Sequence, residues 1–235
     1  MRADDWIATY LITKGVKDVF GIPGAVILDF LYAIDRHKPD IQPHLCFHEQ
    51  GAAFAACGYA QTTGELGVAY ATRGPGFTNM ITAMADAYYD STPVMFITAH
   101  SSVNLDSRMR VLNNQEIDTT SIVASITKRA VRIDDIESLQ KEFEAAYNAA
   151  MSDRKGPVFL DIYSGLFAKE VNPETEYVSD KTETRIQEKD TVANDFLDEV
   201  KHEIKKARRP VILIGNGARK SKEIIKDIAE TFNIP

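Results

Sequence analysis

Two rhythms of apolar and polar positions alternate along this 235-residue chain. Short apolar runs rich in β-branched residues are separated by longer stretches in which apolar residues recur every three or four positions. Trp6, Ile7, Tyr10 and Leu11 mark the first helical stretch, and DVFGI (18–22) follows it as a strand. AVILDFLYAID reads as the next helix. Further strands are expected at HLCF, LGVAYAT (66–72), PVMFITA (93–99), TKRAVRI (127–133) and PVFLDIY (157–163), with helices near 50–63, 76–90 and 136–151. The central strands are unbroken apolar runs, as in a parallel sheet covered on both faces. Regular strand–helix alternation predicts an α/β fold, a doubly wound and mainly parallel sheet with helices on both faces.

Near residue 168 the rhythm stops. KEVNPETEYVSDKTETRIQEKD is polar and charge-rich and reads as a surface linker. A helix is expected at about 191–207; the remainder, RPVILIGNGARKSKEIIKDIAETFNIP, reads as a buried strand, a glycine turn, a helix and the entry to another strand. A single strand cannot bury both of its faces. The expected organisation is a first domain over 1–168, a linker over 169–190, and the truncated beginning of a second α/β domain over 191–235.

Composition narrows the function classes. With 44% hydrophobic and 26% charged residues the chain is ordinary for a globular protein. A net charge of −7 and a pI near 5.3 leave no basic excess to neutralise a phosphate backbone, so nucleic acid is not an expected partner. No apolar run reaches the length of ~18 residues that a spanning helix needs, so no membrane partner is expected. The N-terminus carries acids and a helical period rather than a signal-peptide core, which makes the cytoplasm the expected location. Cys46 and Cys57 lie in apolar stretches and read as small buried hydrophobes. No C-x2-C occurs, and no protein-built metal site is expected.

Ligands of open α/β sheets bind at the carboxyl ends of the strands. Stretches of unusual chemistry fall at such ends: GIPGA (21–25), HEQ (48–50), TRGPGFTN (72–79), AHSS (99–102) and NNQEID (113–118). Each has a plain reading when taken alone. Gly-Pro-Gly is most often a turn, Thr78 and Asn79 suit helix capping, and an acid such as Glu49 after a strand is favoured by the helix dipole. Glu49 is nonetheless out of place. It precedes a run containing Ala52, Ala53, Ala55, Ala56, Gly58 and Ala60, which otherwise suits close backbone packing.

Taken together, GIPG, HEQGAAFAACGYAQTTG, TRGPGFTNMITAMADAYYDSTPVMFIT and NQEID closely resemble the N-terminal, pyrimidine-binding domain of thiamine diphosphate enzymes. The nearest branch is similar to the large subunit of acetolactate synthase, over 1 to about 168 and into 190–235. The resemblance implies decarboxylation of a 2-keto acid such as pyruvate followed by carboligation. It implies thiamine diphosphate with Mg2+ as cofactor and a homodimer or higher homo-oligomer as the working assembly. In that family the glutamate at the position of Glu49 hydrogen-bonds N1′ of the aminopyrimidine and favours the imino tautomer, whose nitrogen takes the thiazolium C2 proton. Pro23, Gly24, Thr72, Gly74, Pro75, Gly76 and Asn79 match positions around the pyrimidine. Gln115 matches a glutamine facing the substrate side. Lys128 matches a family lysine, with surface charge as its other reading.

Departures from the pattern bear on the substrate. Acetolactate synthases commonly read TSGPG and ITGQ where this chain has TRGPG and ITAH, so Arg73 and His100 are variants on the expected substrate side. His100 reads either as an acid/base group or as a polar strand end. The Gly-Asp-Gly motif that holds the metal and diphosphate in the family is absent from the sequence, and so is a G-x4-G-K-[ST] loop. The diphosphate and Mg2+ are therefore expected to be held by a domain outside 1–235. FAD binds the middle domain of acetolactate synthases, but the matching residues lie mostly beyond 235, and GNGARK (215–220) is only a partial nucleotide fingerprint. Two alternatives stay open: another thiamine diphosphate-dependent decarboxylase or acetyltransferase, and a non-catalytic subunit that pairs with a diphosphate-binding chain.

Overall fold

A computed structural model describes residues 1–101, 114–173 and 194–235. The chain divides into two compact units, Met1–Asp180 and Lys181–Pro235. In the first unit six strands form one all-parallel sheet in the order β2-β1-β3-β4-β6-β5. The strands are β1 (Asp18–Gly21), β2 (Gln42–Leu45), β3 (Gly67–Tyr70), β4 (Val94–His100), β5 (Arg129–Ile133) and β6 (Val158–Tyr163). The helices of this unit are α1 (Ala3–Thr13), α2 (Leu28–Arg36), α3 (Glu49–Thr63), α4 (Pro75–Asn79), α5 (Ile81–Tyr89), α6 (Thr119–Val123) and α7 (Ile136–Met151). The fold is the doubly wound α/β class, with the strand order reversing between β1 and β3.

The unbroken apolar strands bury both faces, as their sequence implied. Every residue of β3 and β4 is buried. Val68 and Tyr70 face the layer that holds Ile7, Phe30 and Phe143, while Ala69 and Ala71 face the layer that holds Ala56, Phe77 and Met84. This alternation follows from the two-residue repeat of a strand. The edge strand β2 sits two residues earlier than expected, at Gln42–Leu45 rather than HLCF. Just beyond it, His48 caps α3, its Nδ1 accepting the Gln50 amide at 3.1 Å. The helix expected at 76–90 is two pieces, because Met80 closes a tight turn by donating to the Phe77 carbonyl.

The small residues of α3 answer to its distance from the sheet. Ala53, Ala56, Cys57 and Ala60 are buried against β3 and α5. A Cβ on Gly67 would stand 2.3 Å from the Ala56 carbonyl oxygen, so only glycine permits this approach. Burial pushes the Cys57 thiol up to about 12, with Asp86 and Asp90 acting in the same direction, and it packs as a hydrophobe. Both cysteines are free thiols.

The opposite layer is pinned at its start. Asp4 is fully buried; it accepts from Arg2 at 3.0 and 2.9 Å and from Arg36 of α2 at 3.1 Å. Burial alone would raise its carboxyl, but the two guanidinium groups hold it below the usual carboxylate range. The last residues before 174 stay bonded to this unit. Val171 and Met1 exchange backbone bonds, and Gln140 donates to the Asn172 carbonyl at 2.9 Å. Residues 174–190 of the expected linker lie outside the described residues.

In the second unit, α8 (Asn194–Lys206) and α9 (Lys222–Phe232) form as expected, with a 3-10 turn over Asn216–Ser221. The strand expected in RPVILIG is not formed, and Val211 and Leu213 are exposed. A strand exists only through a neighbour's hydrogen bonds. Within the described residues of this unit, Ile212 finds one such bond, to the Pro235 carbonyl at 3.0 Å. No helix among the described residues is long and apolar enough to cross a membrane.

Two stability measurements test this packing. Gly67→Ala is expected to cost ~1–3 kcal/mol in urea unfolding by overpacking, whereas Gly58→Ala, on the open face of α3, is expected to gain up to ~1 kcal/mol. Because the folded Asp4 value is depressed, its contribution is present above the unfolded value of about 3.9 and lost as pH falls through the folded one. Asp4→Asn is therefore expected to start lower at neutral pH and to lose less stability than the parent on acidification.

Candidate functional site at the carboxyl edge of the sheet

The expected site residues that follow β1, β2 and β3 meet where the strand order reverses. Gly24, in the turn after β1, lies so near Thr72 that a Cβ there would stand 2.4 Å from the Thr72 Cβ. Pro23 is exposed in the same turn. Glu49 is the first residue of α3, directly after the β2 loop, and is partly exposed. Asn79 Nδ2 of α4 donates to Glu49 Oε2 at 2.9 Å. The other oxygen, Oε1, accepts no hydrogen bond among the described residues. A Cβ on Gly76 would lie 3.3 Å from it and 2.8 Å from the Thr72 methyl.

The TRGPG turn is shaped by its glycines. Gly74 has φ +60°, a conformation that favours glycine, and a Cβ there would lie 2.2 Å from the Gln115 carbonyl oxygen. Pro75 then opens α4 at its first position, where a missing N–H is harmless. Thr78 is no cap: its hydroxyl donates to the Pro75 carbonyl at 3.1 Å. Thus Gly24, Glu49, Thr72, Gly74, Gly76, Asn79 and Gln115 are brought together. Asn113 and Ser102 lie outside the described residues.

Arg73 and His100 occupy different surroundings. Arg73 Nη1 donates to Glu116 Oε1 at 2.9 Å and to the Ser101 hydroxyl. His100, at the end of β4, turns away from β3: Nδ1 lies 2.9 Å from Asp161 Oδ1 on β6 and Nε2 lies 2.8 Å from Asp134 Oδ1 after β5. Asp161 also accepts from the Thr119 hydroxyl at 2.5 Å. No described contact joins His100 to Glu49 or Gln115. Lys128 stands at the opposite end of the sheet, ahead of β5, where Nζ donates to the Ser152 carbonyl at 2.8 Å.

Sequence reasoning passed over Glu116 and Asp161. Asp161 carried a signal, an acid inside the apolar strand VFLDIY, where burial demands partners. Glu116 carried none, because its partner Arg73 is 43 residues away. Among the described residues no group of three His, Cys, Asp or Glu side chains could hold a metal ion. A cavity of about 300 Å³ lies elsewhere, beside α1 and α7. Its polar lining is internally paired: Glu144 receives Tyr10 at 2.8 Å and Lys14 at 3.0 Å.

Residues 1–122 match the family described as "Thiamine pyrophosphate enzyme, N-terminal TPP binding domain". The chain belongs to this family. It is 33% identical to the acetolactate synthase isozyme 2 large subunit of Escherichia coli, over 92% of this chain and 38% of that protein. It is 34% identical to acetolactate synthase 1, chloroplastic, of Zea mays, over all of this chain and 36% of that protein. The probable acetolactate synthase large subunit of Methanocaldococcus jannaschii is 34% identical over all of this chain and 39% of that protein. The chain thus spans well under half the length of these relatives.

The glycine turn can be tested without a ligand. Gly74→Ala forces a side chain into a left-handed conformation and onto the Gln115 backbone, so unfolding by heat or urea is expected to show a loss of about 2 kcal/mol or more.

Proposed function

We propose that this chain forms the pyrimidine-binding part of a thiamine diphosphate-dependent enzyme of acetolactate synthase type, acting on 2-keto acids. The observation that carries this reading is the state of Glu49: one carboxylate oxygen is oriented by Asn79, and the other, beside the glycine turn at Gly76, accepts no hydrogen bond among the described residues. A carboxylate held this way fits a heteroaromatic ring nitrogen, with which it can share a proton. Thiamine diphosphate, when bound, supplies the electron sink that lets a carbon–carbon bond beside a keto group be broken or made.

The roles of the chain's own residues follow from their positions. Glu49 holds a proton at the aminopyrimidine N1′, and Asn79 fixes the carboxylate plane. Gly24, Gly74 and Gly76 permit the close approach of Thr72 and Gln115 that shapes the turn beside Glu49, where the ring would sit. Gln115, in its left-handed conformation beside Gly74, faces the reacting side. Mg2+ and the diphosphate would be held by a domain outside these residues, in a homodimer or higher homo-oligomer. FAD has no proposed site within 1–235.

Arg73 and His100 stand where acetolactate synthases commonly carry serine and glutamine, which favours a decarboxylase or acetyl-transferring relative as the second reading. Products formed from pyruvate separate the carboligase from a decarboxylase: acetolactate supports the first, and acetaldehyde without acetolactate the second. In the enzyme assembled with its diphosphate-binding part, Glu49→Gln is expected to lower turnover at least ~100-fold, with circular dichroism unchanged. Turnover near that of the parent would remove Glu49 from the proposed role.

A further inference from the structure

We propose that Arg73 and Glu116 are a positioning pair that fixes Gln115 against the glycine turn and influences turnover through Gln115, without touching substrate or cofactor. This rests on the proposed placement of Gln115 on the reacting side. Gln115 has φ +60°, which is costly for a residue with a side chain and persists only where the surroundings impose it. A Cβ added to Gly74 would stand 2.2 Å from the Gln115 carbonyl oxygen and 3.0 Å from the Gln115 Cβ, so the two residues pack without room for a side chain between them. The next residue, Glu116, is 4% exposed and forms the anchor. Its Oε1 accepts from the Ser101 amide at 2.5 Å, the Ser101 hydroxyl at 2.6 Å and Arg73 Nη1 at 2.9 Å.

Arg73 lies between Thr72 and Gly74, inside the turn that lines Glu49. The ion pair therefore ties the turn after β3 and the end of β4 to the segment bearing Gln115. Hydrogen bonds to charged groups are the stronger kind, and a buried carboxylate is costly to leave without its cation. Downstream, Ile117 packs on the core and Asp118 caps α6 by accepting the Ser121 amide at 3.2 Å. Gln115 is thus held on its C-terminal side by Glu116 and packed against Gly74. A shift of Glu116 would move Gln115 and Gly74 together, because their backbones are already in contact.

The pair is tested first in the 235-residue chain, by amide hydrogen exchange followed with mass spectrometry. Glu116→Gln is expected to speed exchange at 114–116 by about 10-fold, leaving α3 and β4 protected. Arg73→Lys keeps the charge but loses the planar donor, so a smaller change at the same amides is expected; it also serves if Glu116→Gln does not fold. Unchanged exchange at 114–116 in folded variants would overturn the proposal.

Kinetics of the assembled enzyme then test the route. Glu116→Gln is expected to lower kcat by about 10- to 100-fold with KM for the 2-keto acid little changed. Adding Gln115→Ala should bring no loss beyond that of Gln115→Ala alone, since one residue acts through the other. Losses that multiply would overturn it. Absence of any thiamine-dependent turnover in the parent would instead sink the functional reading, and the exchange result alone would then decide the pair.

Discussion

The contact between the Ala56 carbonyl and the Cα of Gly67 sets how near α3 lies to the sheet, and that distance governs the rest of the carboxyl edge. A helix seated this close cannot carry bulk on its inner face, hence the buried alanines. Its first residue is carried in to the strand ends. Glu49 is thereby delivered beside the turn after β3 rather than out over solvent, and Asn79 of α4 can reach it. The charge in a run of small residues and the small residues themselves share one cause.

Much of this was legible in the chain. Continuous apolar runs identified β3, β4 and β6 because strands buried on both faces have no polar side to show. Glycine-rich turns at strand ends marked the edge where Gly24, Glu49, Gly74 and Gly76 converge. The misplacements have local causes. β2 is an edge strand whose exposed residues carry no strong pattern. RPVILIG has the composition of a strand but, among the described residues, lacks a ladder partner, and composition cannot supply one.

Side-chain pairings across long separations stayed hidden. Arg73 finds Glu116, and His100 finds Asp161 and Asp134, across distances at which periodicity says nothing. Arg73 and His100 drew notice as departures from a family pattern, yet the partners that fix their orientation could be learned only from the arrangement of β4, β5 and β6. The two residues, neighbours of one turn and one strand end, belong to separate polar clusters.

The order of strands carries a cost during synthesis. β4 lies in the middle of the sheet, and the neighbour on one of its sides is β6, which leaves the ribosome only after residues 101–157 have been made. At ~5–20 residues per second this interval is on the order of several seconds. Throughout it, the seven-residue β4, apolar but for Thr98 and His100, lacks its ladder partner on that side. The sheet therefore cannot close around β4 until the chain through residue 163 has been made.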